Sequence, residues 1–204
     1  MQATKKFFST QRLTIIAILG AISIVLFLPP LQIPIVLFYK LDLSNIPVLL
    51  GTFAMGPLTG LIILLLKSAV GILFSTSLGV GELADFLMGA AMILPAGLIY
   101  KVHKSRKNAI LGMAAGAVTA TAAGVLLNVY LLIPFYAAAF NLPVDTIIAM
   151  GQGVVSSIDS IWKFVFVITA PFNVLKWSAI SLVGGLIYKP LSPLLHGKKA
   201  LRNA

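Results

Sequence analysis

A lysine and an asparagine lie within an apolar stretch near the end of this 204-residue sequence, where they could bind a ligand. Asn173 and Lys176 are three residues apart, so they project to the same side of a helix. Pro171 can bend that helix and free a backbone carbonyl. An ammonium group far from both ends of an apolar helix cannot easily extend its charge into water. Lys176 therefore needs an anionic or carbonyl partner, such as Glu82, Asp85 or a ligand oxygen.

Further polar side chains interrupt other apolar stretches. Glu82 and Asp85 stand three residues apart at the start of a helix, where acids either offset the helix dipole or contact a ligand. The amide of Asn128 offers two donors and one acceptor, for a neighbouring helix or for a ligand. Lys67 follows three leucines and either reaches the membrane interface or belongs to the site.

The sequence offers no catalytic or metal-binding set. It contains no cysteine and two histidines, and both His103 and His196 lie in basic segments without ligand spacing. No nucleophile–base grouping and no phosphate-binding Gly-Lys-Ser/Thr motif is present. We therefore expect no enzymatic activity, no metal and no cofactor of its own. Any energy from ATP must come from a partner.

The composition is that of a membrane protein. Hydrophobic residues make up 59% of the sequence and charged residues 10%, and the mean hydropathy is +1.05. A soluble domain averages about 25% charged residues, so this chain could not cover its own surface in water. Its solvent is therefore the lipid bilayer, and a soluble enzyme or a disordered chain is excluded.

The positive charges are segregated from the negative ones. The net charge is +10, from 15 Lys and Arg against five Asp and Glu. Most cations lie near the two termini and in the 101–107 loop, without any acid among them, which is typical of cytoplasmic segments. We therefore place both termini and this loop in the cytoplasm, and we expect no nucleic-acid partner. The cations concerned are Lys5, Lys6, Arg12, Lys101, Lys104, Arg106, Lys107, Lys189, Lys198, Lys199 and Arg202.

A cytoplasmic 101–107 loop requires an even number of crossings before it. A helix needs about 20 apolar residues to cross the hydrocarbon, and Gly56-Pro57 divides a longer apolar stretch into a short helix and a full one. The short helix must be buried among the others or cross only partly. The sequence thus predicts an all-α polytopic membrane protein, one domain over residues 1–204 with six transmembrane helices: Leu13–Leu28, Ile46–Met55, Pro57–Phe74, Gly81–Tyr100, Asn108–Phe140 and Ile161–Tyr188.

Small residues follow one face of the first predicted helix. Ala17 and Ala21 are one turn apart, and small residues at this spacing let another helix approach closely. This face either packs within the protein or docks a separate subunit.

Taken together, these segments resemble the substrate-binding (S) components of energy-coupling-factor vitamin transporters, most closely the riboflavin-specific branch. The likeness covers nearly the whole chain. It is carried by Ala17 and Ala21, and by Asp42-Leu-Ser-Asn-Ile-Pro47, Gly51-Thr-Phe-Ala-Met-Gly-Pro57, Gly81-Glu-Leu-Ala-Asp-Phe86, Leu127-Asn-Val-Tyr-Leu-Leu-Ile-Pro-Phe-Tyr136 and Pro171-Phe-Asn-Val-Leu-Lys176.

The resemblance implies a function. Such proteins hold a vitamin near the outer side of the membrane and import it with a shared membrane subunit that two ATPases drive. It therefore implies a high-affinity vitamin-binding subunit in the bacterial cell membrane, with riboflavin as the first candidate substrate and ATP used by the partner subunits.

The resemblance also implies a set of site residues. Asn128, Asn173 and Lys176 look like the polar contacts to the flavin ring, and the 30–45 segment looks like a covering loop. Ala17 and Ala21 would dock the membrane subunit. The candidate binding residues are Lys40, Leu41, Asp42, Glu82, Asp85, Phe86, Asn128, Asn173 and Lys176, with apolar planes from Phe38, Phe86, Leu127, Phe172 and Trp177.

One position departs from the family pattern, and it leaves alternatives for the ligand. Riboflavin binders of this family typically carry Asn where this chain has Asp85, and an ionised Asp only accepts hydrogen bonds. If Asp85 pairs with Lys176, the site suits a neutral ligand. If Lys176 instead meets an anion, pantothenate or another small vitamin is the alternative. A self-sufficient secondary transporter is a further alternative, although the two halves show no internal repeat.

Overall fold

The computed structural model describes residues 9–196, with side chains up to residue 188. Lys5, Lys6, Lys198, Lys199 and Arg202, which contributed to the charge argument, lie outside the described residues, as does the side chain of Lys189. The elements are α1 (Thr10–Phe27), a 3-10 turn (Pro29–Leu31), β1 (Ile33–Val36), β2 (Tyr39–Leu41), α2 (Asn45–Met55), α3 (Pro57–Gly71, extended by the 3-10 turn Ile72–Phe74), α4 (Val80–Val102), α5 (Arg106–Leu127, Asn128–Leu132 and Ile133–Ala139), α6 (Val144–Gln152) and α7 (Ile161–Phe164, Val165–Thr169 and Ala170–His196).

The helical membrane architecture is confirmed. Among residues 9–196, five helices are long and apolar enough to cross a membrane, namely α1, α3, α4, α5 and α7. The short helix α2 has 11 residues, or about 16 Å at 1.5 Å per residue, roughly half the thickness of the hydrocarbon core. Ten of its 11 residues are buried, as expected for a short helix held among the others. Six crossings and cytoplasmic termini stay predictions.

The break between α2 and α3 falls at the predicted position. Gly56 has φ +100°, a conformation that a residue with a Cβ atom rarely adopts. Its N–H still donates to the carbonyl of Thr52 at 2.8 Å and so ends α2. Pro57 is the first residue of α3, where the missing N–H leaves no helical hydrogen bond unmade. This turn separates the short buried helix from a membrane-length one.

A β-hairpin lies in the segment that was predicted only as a covering loop. Strands β1 and β2 pair antiparallel, with Ile33 opposite Leu41 and Pro34 opposite Lys40. Leu37, in the turn, has φ +51°. The hairpin brings the aromatic residues Phe38 and Tyr39 towards the membrane helices.

The two longest helices each contain a π-helical segment. These segments are Asn128–Leu132 in α5 and Val165–Thr169 in α7. A proline follows each of them by two residues, Pro134 and Pro171, and a proline cannot donate to the carbonyl four residues earlier, which lies inside the π segment. A wider turn accommodates this missing bond without ending the helix. Pro171 is predicted to bend α7 and free a backbone carbonyl; the structure shows a π-helical turn that ends two residues before it in a continuous helix.

Helix α4 packs against three other helices. It contacts α2, α3 and α5, while α7 contacts α2 and α5. The polar stretch between α5 and α7, predicted as a loop, contains the amphipathic helix α6, which packs against the end of α5. This arrangement brings the hairpin, α4, α5 and α7 around one cavity.

Candidate vitamin-binding site

A cavity of about 420 Å³ lies between the hairpin, the start of α4, the second half of α5 and the middle of α7. Its size is within the range of small-molecule pockets. Its walls combine aromatic rings with a few buried polar groups. The lining residues are Phe27, Gln32, Leu37, Phe38, Tyr39, Lys40, Asp42, Thr76, Ser77, Val80, Gly81, Glu82, Ala84, Asp85, Met88, Asn128, Leu132, Ile133, Tyr136, Met150, Phe172, Asn173, Lys176 and Trp177.

Four buried side chains of alternating charge form a row beside the cavity: Asp42, Lys176, Asp85 and Lys67. The Nζ atom of Lys176 lies 3.0 Å from Oδ2 of Asp42 and 3.0 Å from Oδ1 of Asp85. The other carboxylate oxygen of Asp85 forms an ion pair with Lys67. A buried charge is tolerated when it is paired and hydrogen-bonded, and each of these four has an opposite charge beside it.

The local sequence explains how Asp42 joins this row of buried charges. Its Oδ1 accepts a hydrogen bond from the backbone N–H of Ser44 at 3.0 Å, the turn that an Asp side chain makes with the backbone two residues later. This turn precedes α2 and leaves Oδ2 directed at Lys176. Asn45, the first residue of α2, donates from Nδ2 to Oδ1 of Asp85 at 2.8 Å. The Asp-Leu-Ser-Asn segment thereby connects the hairpin to α4 and α7.

Lys67 is fully buried and lies behind the cavity wall. Its Nζ donates to Oγ of Ser44 at 2.9 Å and to Oδ1 of Asn45 at 3.1 Å, in addition to the ion pair with Asp85. The ring of Phe27 lies over the ammonium, 4.6 Å from nitrogen to ring centroid. Two hydrogen bonds, an ion pair and an aromatic ring therefore surround this ammonium group within the protein.

Two asparagines form the polar edge on the α5 and α7 side. Asn128 begins the π segment of α5, and Asn173 lies four residues after the π segment of α7. The Nδ2 atom of Asn128 donates to the carbonyl of Gly124 at 2.7 Å, and that of Asn173 donates to the carbonyl of Thr169 at 2.9 Å. The side-chain oxygen of Asn173 accepts from Nε1 of Trp177 at 3.2 Å. Each amide keeps a second N–H, so the pair can offer hydrogen bonds to a ligand.

Tyr39 joins this polar edge to the hairpin. Its hydroxyl donates to Oδ1 of Asn128 at 2.9 Å and lies 2.6 Å from Oγ1 of Thr169. Burial raises the pKa of Tyr39 well above its usual value, so the hydroxyl remains a protonated donor at neutral pH.

Aromatic rings also line the cavity, and some of them lie directly beside the asparagines. Phe38 stacks on Tyr136 with ring centroids 4.8 Å apart, and Tyr136 stacks on Phe140 at 4.4 Å. Tyr39 packs at a tilt against Phe172, at 5.0 Å. Such a wall is suited to a flat aromatic ligand.

At the mouth, three hydrogen bonds hold the loop between α3 and α4. Glu82 accepts hydrogen bonds from Ser75 at 2.7 Å and from Ser77 at 3.2 Å. Lys40 donates to Oγ1 of Thr76 at 2.8 Å. The mouth thus carries both a carboxylate and an ammonium group.

Comparison with known proteins assigns the chain to a family. Residues 11–188 match the family described as "ECF transporter, substrate-specific component". The chain belongs to this family. It is 37% identical over 186 residues to the riboflavin transporter RibU of Staphylococcus aureus (strain TCH60), which covers 91% of this chain and 92% of that protein. It is 26% identical over 194 residues to the riboflavin transporter FmnP of Bacillus subtilis (strain 168), covering 93% and 96%.

A solved structure agrees with this assignment. The S component of a bacterial ECF transporter matches with a TM-score of 0.69 and 33% sequence identity, over 91% of this chain and 98% of that one. The named relatives are transporters, so this ECF S component is a transport protein and not an enzyme. Among the described residues, no group of His, Cys, Asp and Glu could hold a metal ion.

The structure of this S component brings most of the predicted binding residues to one cavity. Those that line it are Lys40, Asp42, Glu82, Asp85, Asn128, Asn173 and Lys176, together with Phe38, Phe172 and Trp177 from the predicted apolar planes.

Three predicted residues lie elsewhere than on the cavity wall: Leu41, Phe86 and Leu127. Phe86 follows Asp85, and successive residues on a helix point about 100° apart, so its ring packs against a core of α1, α2 and α3 residues. Leu41 alternates with Lys40 along strand β2 and faces the other way. Leu127 packs into the central core instead.

Sequence reasoning missed Tyr39 and left the role of Lys67 undecided. The signal at Lys67 was present, because a lysine that follows three leucines lies deep in a membrane helix. Its partner could not be read from the sequence, since it depends on which face of α3 meets α4. Tyr39 carried no signal until the hairpin placed it beside Asn128.

The small-residue face of α1 lies on the surface. Ala17 and Ala21 are exposed, and so are Ile18 and Ile22 beside them, at 54% and 45%. Packing within the described residues therefore does not account for this face. Docking of a separate subunit there stays a prediction.

Proposed function

We propose that this chain binds riboflavin with high affinity in the bacterial cell membrane and delivers it to a separate energising module of one membrane subunit and two ATPases. It would act as a single integral-membrane domain with six crossings and both termini in the cytoplasm. The observation that carries the ligand assignment is the cavity, which is lined both by two buried amides and by stacked aromatic rings.

The chemistry of the walls fits a flavin. The isoalloxazine ring is flat, and its pyrimidine edge alternates carbonyl acceptors with an N–H donor. Asn128, Asn173 and Lys176 can supply the matching donors and acceptors, while the aromatic wall covers the ring face. Glu82 and the serine and threonine hydroxyls at the mouth suit the hydroxyls of the ribityl chain. The relatives named as riboflavin transporters support the same assignment.

The charges favour a neutral ligand over a carboxylate such as pantothenate. Lys176, the cation deepest in the cavity lining, is already paired with two carboxylates. Glu82 adds another negative charge, and Lys40 at the mouth donates to Thr76. The site thus offers no unopposed buried cation, and placing a carboxylate beside this wall would cost electrostatic energy. Riboflavin avoids that cost because it is uncharged at neutral pH.

The ligand assignment is tested on the purified chain. Titration with riboflavin should quench flavin fluorescence with a dissociation constant far below that of pantothenate measured by calorimetry. Tight pantothenate binding without riboflavin binding would overturn the ligand and leave the transporter family unchanged.

The need for an energising module is tested by uptake. The chain alone in proteoliposomes should bind riboflavin but not accumulate it, whereas addition of the module and ATP should drive accumulation. Accumulation by the chain alone would instead favour a self-sufficient secondary transporter.

The proposed orientation is testable because the sequence has no cysteine. Single cysteines introduced at Ser105, in the basic loop, and at Thr146, in α6, should react with a membrane-impermeant thiol reagent from opposite sides. Labelling of both from the same side would contradict a crossing by α5 between them, and labelling of the cysteine at position 105 from outside would contradict a cytoplasmic 101–107 loop.

A further inference from the structure

Lys67 does not line the cavity, but it forms an ion pair with Asp85, which does. Lys67 is completely buried, and its ammonium pairs with one oxygen of Asp85. The other oxygen of Asp85 faces Lys176 at 3.0 Å. The carboxylate of Asp85 is therefore shared between a lysine behind the wall and a lysine on it.

The two lysines differ in the hydrogen bonds they have left to give. An ammonium group has three N–H donors. Lys67 donates to Ser44 and Asn45, forms an ion pair with Asp85, and does not line the cavity. Lys176 directs two at the carboxylates of Asp42 and Asp85 and lines the cavity. One donor of Lys176 is available for a ligand.

The positive charge of Lys67 affects how strongly the carboxylates of Asp42 and Asp85 attract Lys176. With Lys67 present, the formal charges of the four buried residues in this row sum to zero. Without it, Lys176 would stand alone between two carboxylates, and the wall would carry a net negative charge in a low-dielectric setting where charge interactions are strong. That charge would draw the ammonium of Lys176 away from the ligand and repel the carbonyl oxygens of a flavin.

We propose that Lys67 is a positioning residue for ligand binding: it neutralises Asp85 from behind the wall, so that Lys176 can present its remaining N–H to an uncharged ligand. This inference rests on the proposed riboflavin-binding function. It assigns to Lys67 an effect on affinity that is separable from its effect on stability, because Lys67 acts through Asp85 and makes no contact with the cavity.

The test is a double-mutant cycle of Lys67→Met and Asp85→Asn, with riboflavin affinity and melting midpoint measured for each variant. K67M should weaken riboflavin binding by at least about tenfold, a loss within the range of coupled buried pairs. Adding D85N to K67M removes the unopposed carboxylate and should recover at least about tenfold of affinity. An ion pair with a purely structural role would show coupling in the midpoints but none in the dissociation constants.

Matched controls keep the result interpretable. The same cycle on the exposed ion pair of Lys163 and Asp159, whose side chains are 53% and 62% exposed, should show no coupling in affinity. Should K67M fail to fold, Lys67→Gln takes its place, because a Gln amide can retain hydrogen bonds to Ser44 and Asn45 without the charge.

The outcomes separate this inference from the proposed function. Wild-type affinity in K67M, or a double variant no tighter than K67M, would overturn the role of Lys67 while riboflavin binding by the wild type stands. A wild-type chain that does not bind riboflavin would overturn the proposed ligand, and this inference with it.

Discussion

The hydroxyl of Tyr39 donates a hydrogen bond to Oδ1 of Asn128 across 2.9 Å, and this bond joins the β-hairpin to the π-helical segment of α5. Both side chains are buried, at 8% and 3% exposure. With its oxygen held by Tyr39 and one N–H held by Gly124, the amide of Asn128 has a single orientation. Its second N–H is thereby fixed relative to the cavity.

Tyr39→Phe should therefore weaken riboflavin binding while the hairpin stays folded. The ring keeps its packing against Phe172, but Asn128 loses the donor that orients its amide towards the ligand. Loss of one ligand hydrogen bond, about 1–2 kcal/mol, raises the dissociation constant about five- to thirtyfold. Fluorescence titration measures it. Tyr130→Phe is the control, because Tyr130 is 70% exposed and outside the cavity lining, and its affinity should not change. Equal affinities for Y39F and the wild type would show that the hydroxyl does not orient Asn128.

Gly124→Ala tests how closely α5 and α7 must approach at the asparagines. A Cβ atom at this position would lie 2.8 Å from Nδ2 of Asn173 and 3.1 Å from Sδ of Met88. Overpacking of this kind costs about 1–3 kcal/mol, and here it displaces a side chain that we propose binds the ligand, so we expect at least about tenfold weaker riboflavin binding. In Gly20→Ala the new atom meets Leu66 at 3.8 Å, an ordinary contact, and affinity should be retained. If both variants bind equally well, the position of Asn173 is not critical.

The sequence predicts the helices of this protein well because the bilayer imposes a length and a hydropathy that can be read residue by residue. The break at Gly56-Pro57 follows for the same reason, since both residues have strong backbone preferences. The hairpin could not be predicted, because strands of four and three residues, one of them containing Pro34, are too short to show an alternation.

The candidate site was predictable in part. Asn128, Asn173 and Lys176 are conspicuous because a polar side chain in an apolar helix is costly. Tertiary packing decides the rest: the rotation of α3 brings Lys67 to Asp85, and the hairpin register brings Tyr39 to Asn128. Phe86 was predicted at the site because it follows Asp85 in the sequence. The helix instead directs its ring to another part of the core.

Lys176→Met should abolish binding and destabilise the fold. The substitution leaves Asp42 without a positive partner and removes one of two from Asp85; breaking a buried ion pair from one side costs about 3–5 kcal/mol. We expect a large drop in melting midpoint and at least about a hundredfold loss of riboflavin affinity. Lys163→Met, which opens an exposed pair with Asp159, should change stability by less than about 1 kcal/mol. Thermal unfolding and titration of both variants decide the matter, and a K176M protein as stable as K163M would contradict the row of buried charges.

Replacing Ala17 and Ala21 together by leucine should separate binding from transport. Both residues are exposed on α1, so larger side chains meet nothing within the described chain, and riboflavin affinity and stability should stay unchanged. A partner helix that relies on small residues for close approach would be pushed away, so ATP-driven uptake in proteoliposomes with the energising module should fall at least about tenfold. Ala114→Leu, on the exposed side of α5, is the matched control and should retain uptake. Full uptake by the double-leucine variant would place the docking surface on another face of the protein.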